Sequence, residues 1–154
     1  MAGAPLSAAQ QAAVGELVAG GRLEVVPVDE ARAGAFLLQA SEALADLPNV
    51  TRSQNRYTLA YDACHDVGEA LLAAHGFRTT NRAGQHEALG QYLKAMLDTP
   101  PGNVAARRFD QLRRARNQQR YEAHPVGVAD AELAATTARG LYDAVVALGV
   151  QSPS

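Results

Sequence analysis

The chain has 154 residues, a formal net charge of −2 and 47% hydrophobic residues. This length suits one domain, and the negative charge excludes a protein that coats nucleic acid over its whole surface. The sequence contains one cysteine, Cys64, so no internal disulfide can form. We expect neither a signal peptide nor a transmembrane span, and therefore a cytoplasmic protein without membrane contact.

The first 28 residues predict a short N-terminal helix and an extended arm. An alanine-rich segment from Ser7 to Ala19 begins at a capping serine and ends at the Gly20-Gly21 pair. The apolar, β-branched segment from Leu23 to Val28 then favours an edge strand or an extended arm. We assign residues 1–28 to this N-terminal part and residues 150–154 to a polar tail.

Residues 29–149 show the three-and-four spacing of apolar residues that is typical of amphipathic helices. Proline and glycine breaks divide this stretch, which predicts an all-α, up-and-down bundle of about five core helices. The expected helices span residues 29–47, 53–75, 82–97, 103 to about 123, and 130–148. The expected caps of the last three are a residue of the segment Thr79 to Asn81, Asn103 and Asp130.

The segment 107–121 carries six of the fourteen Lys and Arg residues and places one arginine among apolar residues. On a helical wheel, the neighbours of Arg116 are Ala105, Phe109 and Leu112. An unpaired buried charge is costly. Arg116 therefore either extends past its apolar neighbours near the helix end or lines an interior or interfacial cleft. Arg107 and Arg114 point nearly the opposite way and are expected to be solvated.

The sequence contains no glycine-rich phosphate loop, no dinucleotide motif and no zinc-ligand spacing, so neither a cofactor nor a metal is expected. Cys64 is expected in the core, and Asp62 and Asp66 on a solvated acidic face. One alternative function is a small-molecule-binding bundle. Its pocket would be lined by Tyr57, Tyr61, Tyr92 and Tyr142.

Three segments carry a resemblance to a known family. They are YTLAYDACHDVGEALLAAHGF (Tyr57 to Phe77), RAGQHEALGQYL (Arg82 to Leu93) and LRRARNQQRY (Leu112 to Tyr121), followed by the closing helix. In this order they resemble the HEPN superfamily, the small α-helical domains of toxin–antitoxin and defence systems. The resemblance extends over residues 30–149 and implies a HEPN-like helical bundle with an RNA-directed function.

Members of this family that cleave RNA carry an arginine, usually a polar residue next, and a histidine after four to six intervening residues. Arg116 and Asn117 match the first two positions, whereas His124 follows after seven intervening residues. The resemblance therefore implies a degenerate motif with Arg116, Asn117 and His124 as the catalytic residues. The candidate RNA- and phosphate-binding residues beside them are Arg113, Arg120 and Tyr121.

In such a site, Arg116 would hold a phosphate through two donors, Asn117 would orient it and His124 would transfer protons. The family resemblance also implies a homodimer whose two copies of the motif face each other. The activity that it implies is at most that of a weak metal-independent ribonuclease. The alternative is a non-catalytic helical dimer that binds a partner protein, such as a cognate nucleotidyltransferase or an antitoxin.

Overall fold

A computed structural model describes residues 5–80, 84–123 and 125–152, and the side chains of residues 118–122 are not among those described. Six α-helices and two short strands form this part of the chain. The helices are α1 (Ala8–Ala19), α2 (Glu30–Asp46), α3 (Ser53–His75), α4 (Gln85–Met96), α5 (Gly102–Glu122) and α6 (Val128–Ala147). The strands are β1 (Leu23–Val25) and β2 (Phe77–Thr79). The expected all-α bundle with a short N-terminal helix is confirmed.

Helix α3 is the centre of the bundle and packs most extensively against α2 and α6. Its many alanines allow close approach of the neighbouring helices, and Cys64 is fully buried among them, as expected. Gly68 lies against Leu89 of α4, because a Cβ at Gly68 would be 2.7 Å from a Leu89 methyl carbon. The absence of a side chain at Gly68 thus lets Leu89 pack closely against α3.

Local capping chemistry sets the ends of several helices as the sequence predicts. The Ser7 hydroxyl accepts the backbone N–H of Gln10 at 3.1 Å and so caps α1. Helix α3 runs from Ser53 to His75 and ends at Gly76, whose φ of 79° is in the left-handed region that favours glycine.

The N-terminal segment packs on the bundle. Strand β1 pairs antiparallel with β2, with Leu23 opposite Thr79. Val14 and Leu23 are buried in the same core as α3, and the Gln10 side chain donates to the Met96 carbonyl at 2.9 Å. Residues of α1 and β1 are thereby attached to α4 and to the end of α3.

The prediction that Thr79 or Thr80 caps the start of α4 is wrong. Thr79 belongs to strand β2, and the Thr80 hydroxyl donates to the Gly21 carbonyl at 2.9 Å. The N-cap position is occupied by Gly84, and residues 81–83, with the expected Asn81 cap and the expected helix start at Arg82, lie outside the described residues. Pairing with the N-terminal segment therefore takes precedence over capping at the threonines.

The expected caps of α5 and α6 are also wrong. Helix α5 begins at Gly102, so Asn103 lies inside its first turn. Helix α6 begins at Val128, two residues before the expected cap, and the Asp130 carboxylate accepts the Gly127 N–H at 3.0 Å. Both asparagine and aspartate bond readily to nearby backbone, so their presence marks a helix start without fixing its first residue.

Candidate functional site

A cleft of about 730 Å³ lies where α3, the first turn of α4 and the C-terminal half of α5 meet. Its lining residues are Tyr61, Asp62, His65 and Asp66 from α3, Gly84 to Glu87 at the start of α4, and Arg113, Arg116 and Asn117 from α5. The α5 residues are three of those singled out by the sequence. The histidines come from the two other helices.

Arg116 lies in the wall of this cleft, where an aromatic ring and a carboxylate compensate its charge. The Cζ atom of its guanidinium is 4.3 Å from the centre of the Tyr61 ring. Its Nη1 atom is 3.8 Å from Oδ1 of Asp62, and 25% of the Arg116 side chain is exposed. An arginine in an apolar stripe is tolerated here because α3 supplies both partners. Its part in binding or catalysis stays a prediction.

Arg113 also lines the cleft, and Asp110 holds its guanidinium. The Arg113 Nη2 and Nε atoms donate to Oδ1 of Asp110 at 3.0 and 3.3 Å. Arg114 and Lys94 approach the second carboxylate oxygen at 3.1 and 3.5 Å. Burial alone would raise the pKa of Asp110, but the hydrogen bond from Arg113 and the three positive charges bring it below its usual value. Asp110 is therefore ionised at neutral pH and keeps Arg113 in place.

Two histidines from different helices meet in the cleft. The ring centres of His65 and His86 are 4.9 Å apart, with their planes inclined by 49°, and the Tyr61 ring is 6.5 Å from that of His86. Burial lowers the pKa of His65 to about 4, and His86 and Arg116 act in the same direction. Burial also lowers the pKa of His86, and the positive charges of Arg116 and Arg113 lower it further. Both imidazoles are therefore neutral at neutral pH.

Sequence reasoning missed this histidine pair. Neither His65 nor His86 is among the candidate site residues that the sequence indicates. No spacing rule connects two residues on different helices. The available signal was compositional, because only four histidines occur in the chain and His65 lies one turn from Tyr61 on α3.

The cleft also contains carboxylates. Asp62 is mostly exposed, as expected, whereas Asp66 is half-buried. Burial raises the pKa of Asp66 to about 6, and Asp62 and Glu69 add to this effect. Glu87 is 3.8 Å from the guanidinium of Arg22. An anionic ligand in this cleft must therefore compete with Asp62 for Arg116, whereas Asp66 repels it less as the pH falls towards 6.

The structure brings some of the expected site residues together and does not describe the others. Arg113, Arg116 and Asn117 share the cleft. The side chains of Arg120 and Tyr121 and the whole of His124 lie outside the described residues. Arg107 and Arg114, expected to be solvated, are exposed.

The tyrosines of the alternative small-molecule pocket are mostly packing residues. Tyr57 and Tyr92 are core residues whose hydroxyls donate to the backbone carbonyls of Leu112 and Leu71. Tyr61 lines the cleft but is itself almost completely buried. Three of the four tyrosines are therefore part of the packing of the bundle.

The fold and the cleft define an all-α helical bundle with arginines and histidines around a polar cleft. Comparison of the chain with protein-family models, with curated proteins and with solved structures finds no match. Within the described ranges, no group of three or more His, Cys, Asp or Glu residues is arranged to hold a metal ion. No helix in the described part of the chain combines the length and hydropathy that a membrane span requires.

Proposed function

We propose that this chain is an RNA-directed helical domain of the HEPN kind, acting in a toxin–antitoxin or defence system. Its cleft between α3, α4 and α5 binds the phosphodiester backbone of single-stranded RNA. The observation that carries the proposal is Arg116, whose guanidinium lines the cleft beside Asn117 and is not covered by the core. A guanidinium can donate two parallel hydrogen bonds to one phosphate, and the neighbouring amide can donate another.

The ion pair between Arg116 and Asp62 is weak enough for a phosphate to replace it. The separation of 3.8 Å is long for a hydrogen-bonded pair, and 61% of the Asp62 side chain is exposed. Such pairs contribute between 0 and about 1 kcal/mol. RNA binding thus requires displacement of Asp62 from Arg116, and Asp62 lowers the affinity for RNA.

This competition provides a test in which two variants change affinity in opposite directions. Binding of a fluorescein-labelled single-stranded RNA is measured by fluorescence anisotropy at low salt for the unchanged protein, Arg116→Ala and Asp62→Asn. We expect Arg116→Ala to weaken binding by about tenfold or more and to make it less dependent on salt concentration. We expect Asp62→Asn to tighten binding, because the competing charge is removed.

Arg107→Ala is the matched control. Arg107 lies on the same helix as Arg116, carries the same charge, is exposed and does not line the cleft. Its loss should change the affinity by less than about twofold. Equal losses in Arg107→Ala and Arg116→Ala would show general electrostatic attraction to α5 instead of a site. If the unchanged protein binds no RNA, the alternative of a non-catalytic domain that binds a nucleotidyltransferase or an antitoxin replaces this proposal.

The homodimer is a separate prediction. The family resemblance implies it, but Arg116 does not need a second copy to find an acidic partner, because Asp62 of α3 supplies one within the same chain. The cleft is formed by helices of one chain and needs no second copy. Light scattering at high micromolar concentration decides whether the chain dimerises, with α5 beside the two-fold axis as the predicted arrangement.

A further inference from the structure

We propose that His65 and His86 are the acid–base pair of a metal-independent RNA cleavage in this cleft, in place of the displaced histidine of the family motif. This inference depends on the proposed RNA-directed function and adds the residues that would perform the reaction. It assigns His65 as the general base and His86 as the general acid. Arg116, on the α5 side of the cleft, holds the phosphate next to the two histidines.

The geometry supports this assignment. Both imidazoles line the same cleft as Arg116, and their ring centres are 4.9 Å apart. The attacking 2′-oxygen and the leaving 5′-oxygen lie on opposite sides of the phosphorus, so two imidazoles at this separation can reach the two oxygens of one phosphodiester. His86 is exposed and can exchange protons with solvent, whereas His65 is half-buried.

The reaction needs only RNA and these side chains. His65 takes the proton of the 2′-hydroxyl, and the 2′-oxygen forms a bond to phosphorus. The bond between phosphorus and the 5′-oxygen breaks, and protonated His86 donates its proton to that oxygen. The products are a 2′,3′-cyclic phosphate and a 5′-hydroxyl, and no metal or further reactant takes part.

The pH dependence of cleavage follows from the charges around the pair. Among the described residues, the charged groups that line the cleft with the two imidazoles are Asp62, Asp66, Glu87, Arg113 and Arg116. On the other side of His65 lie Glu24, Arg32, Glu69 and Arg78. Since the pKa of both imidazoles is lowered, a neutral base and a protonated acid coexist only in mildly acidic solution. We therefore expect maximal cleavage below pH 6.5.

The test separates binding from cleavage. The 154-residue protein is incubated with end-labelled single-stranded RNA in the presence of EDTA, and binding is measured with an oligonucleotide of the same sequence that lacks all 2′-hydroxyls. We expect His65→Asn and His86→Asn each to lower the cleavage rate about 100-fold or more while binding changes less than threefold. The cleaved RNA should carry a 2′,3′-cyclic phosphate.

Two further variants sharpen the result. His75→Asn changes a histidine of α3 that does not line the cleft and should cleave at the unchanged rate. His124→Asn is not an inert control but a competing test, because it removes the histidine of the family motif. Circular dichroism and thermal unfolding check that each variant is folded.

Distinct outcomes would overturn the inference. If the protein binds RNA but does not cleave it, or if cleavage persists in both His65→Asn and His86→Asn, the acid–base assignment fails while the RNA-directed function stands. Loss of cleavage in His124→Asn alone would transfer the role to the family motif. Loss of cleavage in EDTA would show that a metal ion takes part. Absence of RNA binding would remove the proposed function together with this inference.

Discussion

The guanidinium Cζ atom of Arg116 lies 4.3 Å from the centre of the Tyr61 ring, so that α5 and α3 are joined by a cation–π contact. Tyr61 is 3% exposed and packs on Phe109 of α5, with ring centres 5.6 Å apart. The same aromatic side chain thus contacts both a core residue and the cationic residue of the cleft. This contact explains how an arginine occupies the apolar side of α5, where none of the described side chains of that helix is its acidic partner.

A double-mutant cycle measures the contact between Tyr61 and Arg116. We expect the changes Tyr61→Leu and Arg116→Gln to be coupled by about 0.5–1 kcal/mol in the free energy of unfolding, determined by urea titration. Tyr61→Phe keeps the ring and should preserve the coupling. Additive effects of Tyr61→Leu and Arg116→Gln would show that the stacked geometry contributes nothing to stability.

The carboxylate of Asp110 pairs with two arginines, of which Arg113 is mostly buried and Arg114 is exposed. The Arg113 side chain is 12% exposed, whereas that of Arg114 is 71% exposed. We expect Arg113→Met to lower the free energy of unfolding by about 1–3 kcal/mol, because Asp110 loses its principal hydrogen-bonding partner. Arg114→Met should lower it by less than about 1 kcal/mol. Losses of the same size in urea unfolding would contradict the assigned role of Arg113.

His65 and Asp66 should affect the pH dependence of stability in opposite directions. The pKa of His65 is about 4 in the folded protein, below its usual 6.5, so the unfolded state binds more protons between these values. The stability associated with neutral His65 is therefore present above pH 6.5 and is lost as the pH falls towards 4. The pKa of Asp66 is raised from 3.8 to about 6, so its protonation favours the folded state between these values.

Urea unfolding at pH 7 and pH 5 tests these two signs. His65→Gln should lose less stability on acidification than the unchanged protein, by about 1 kcal/mol after allowing for partial exposure of the imidazole. Asp66→Asn should lose more stability than the unchanged protein, because the gain from protonating Asp66 is absent. The opposite order of the two variants would disprove the assigned pKa directions.

Gly76 and Gly15 form a matched pair of glycine-to-alanine tests. At Gly76, φ is +79° and a Cβ would be 2.7 Å from the Val26 carbonyl oxygen. Gly76→Ala should therefore lower the free energy of unfolding by more than about 2 kcal/mol. No atom lies within 4 Å of a Cβ at Gly15, inside α1, so Gly15→Ala should raise it by about 0.5–1 kcal/mol. Thermal unfolding of both variants gives the comparison.

The sequence by itself determined which segments form helices and showed that one arginine, Arg116, lies on an apolar helix face. Residue spacing and capping groups only a few positions apart predict the bounds of α3, including its end at Gly76. They also predict the Ser7 cap of α1. The placement of Arg116 on an apolar stripe is likewise a property of one helix. The first residues of α4, α5 and α6 were less predictable, because several polar residues near each start can cap it and contacts with other elements choose among them.

Only the tertiary structure decided what surrounds Arg116 and which histidines meet. Tyr61 and Asp62 reach Arg116 from a different helix, and His65 meets His86 because α3 and α4 pack with Leu89 against Gly68. No local pattern encodes such contacts, since the relative placement of two helices depends on the shapes of all the side chains between them. The cleft is therefore a product of helix packing, although each of its residues lies on a helix that the sequence predicts.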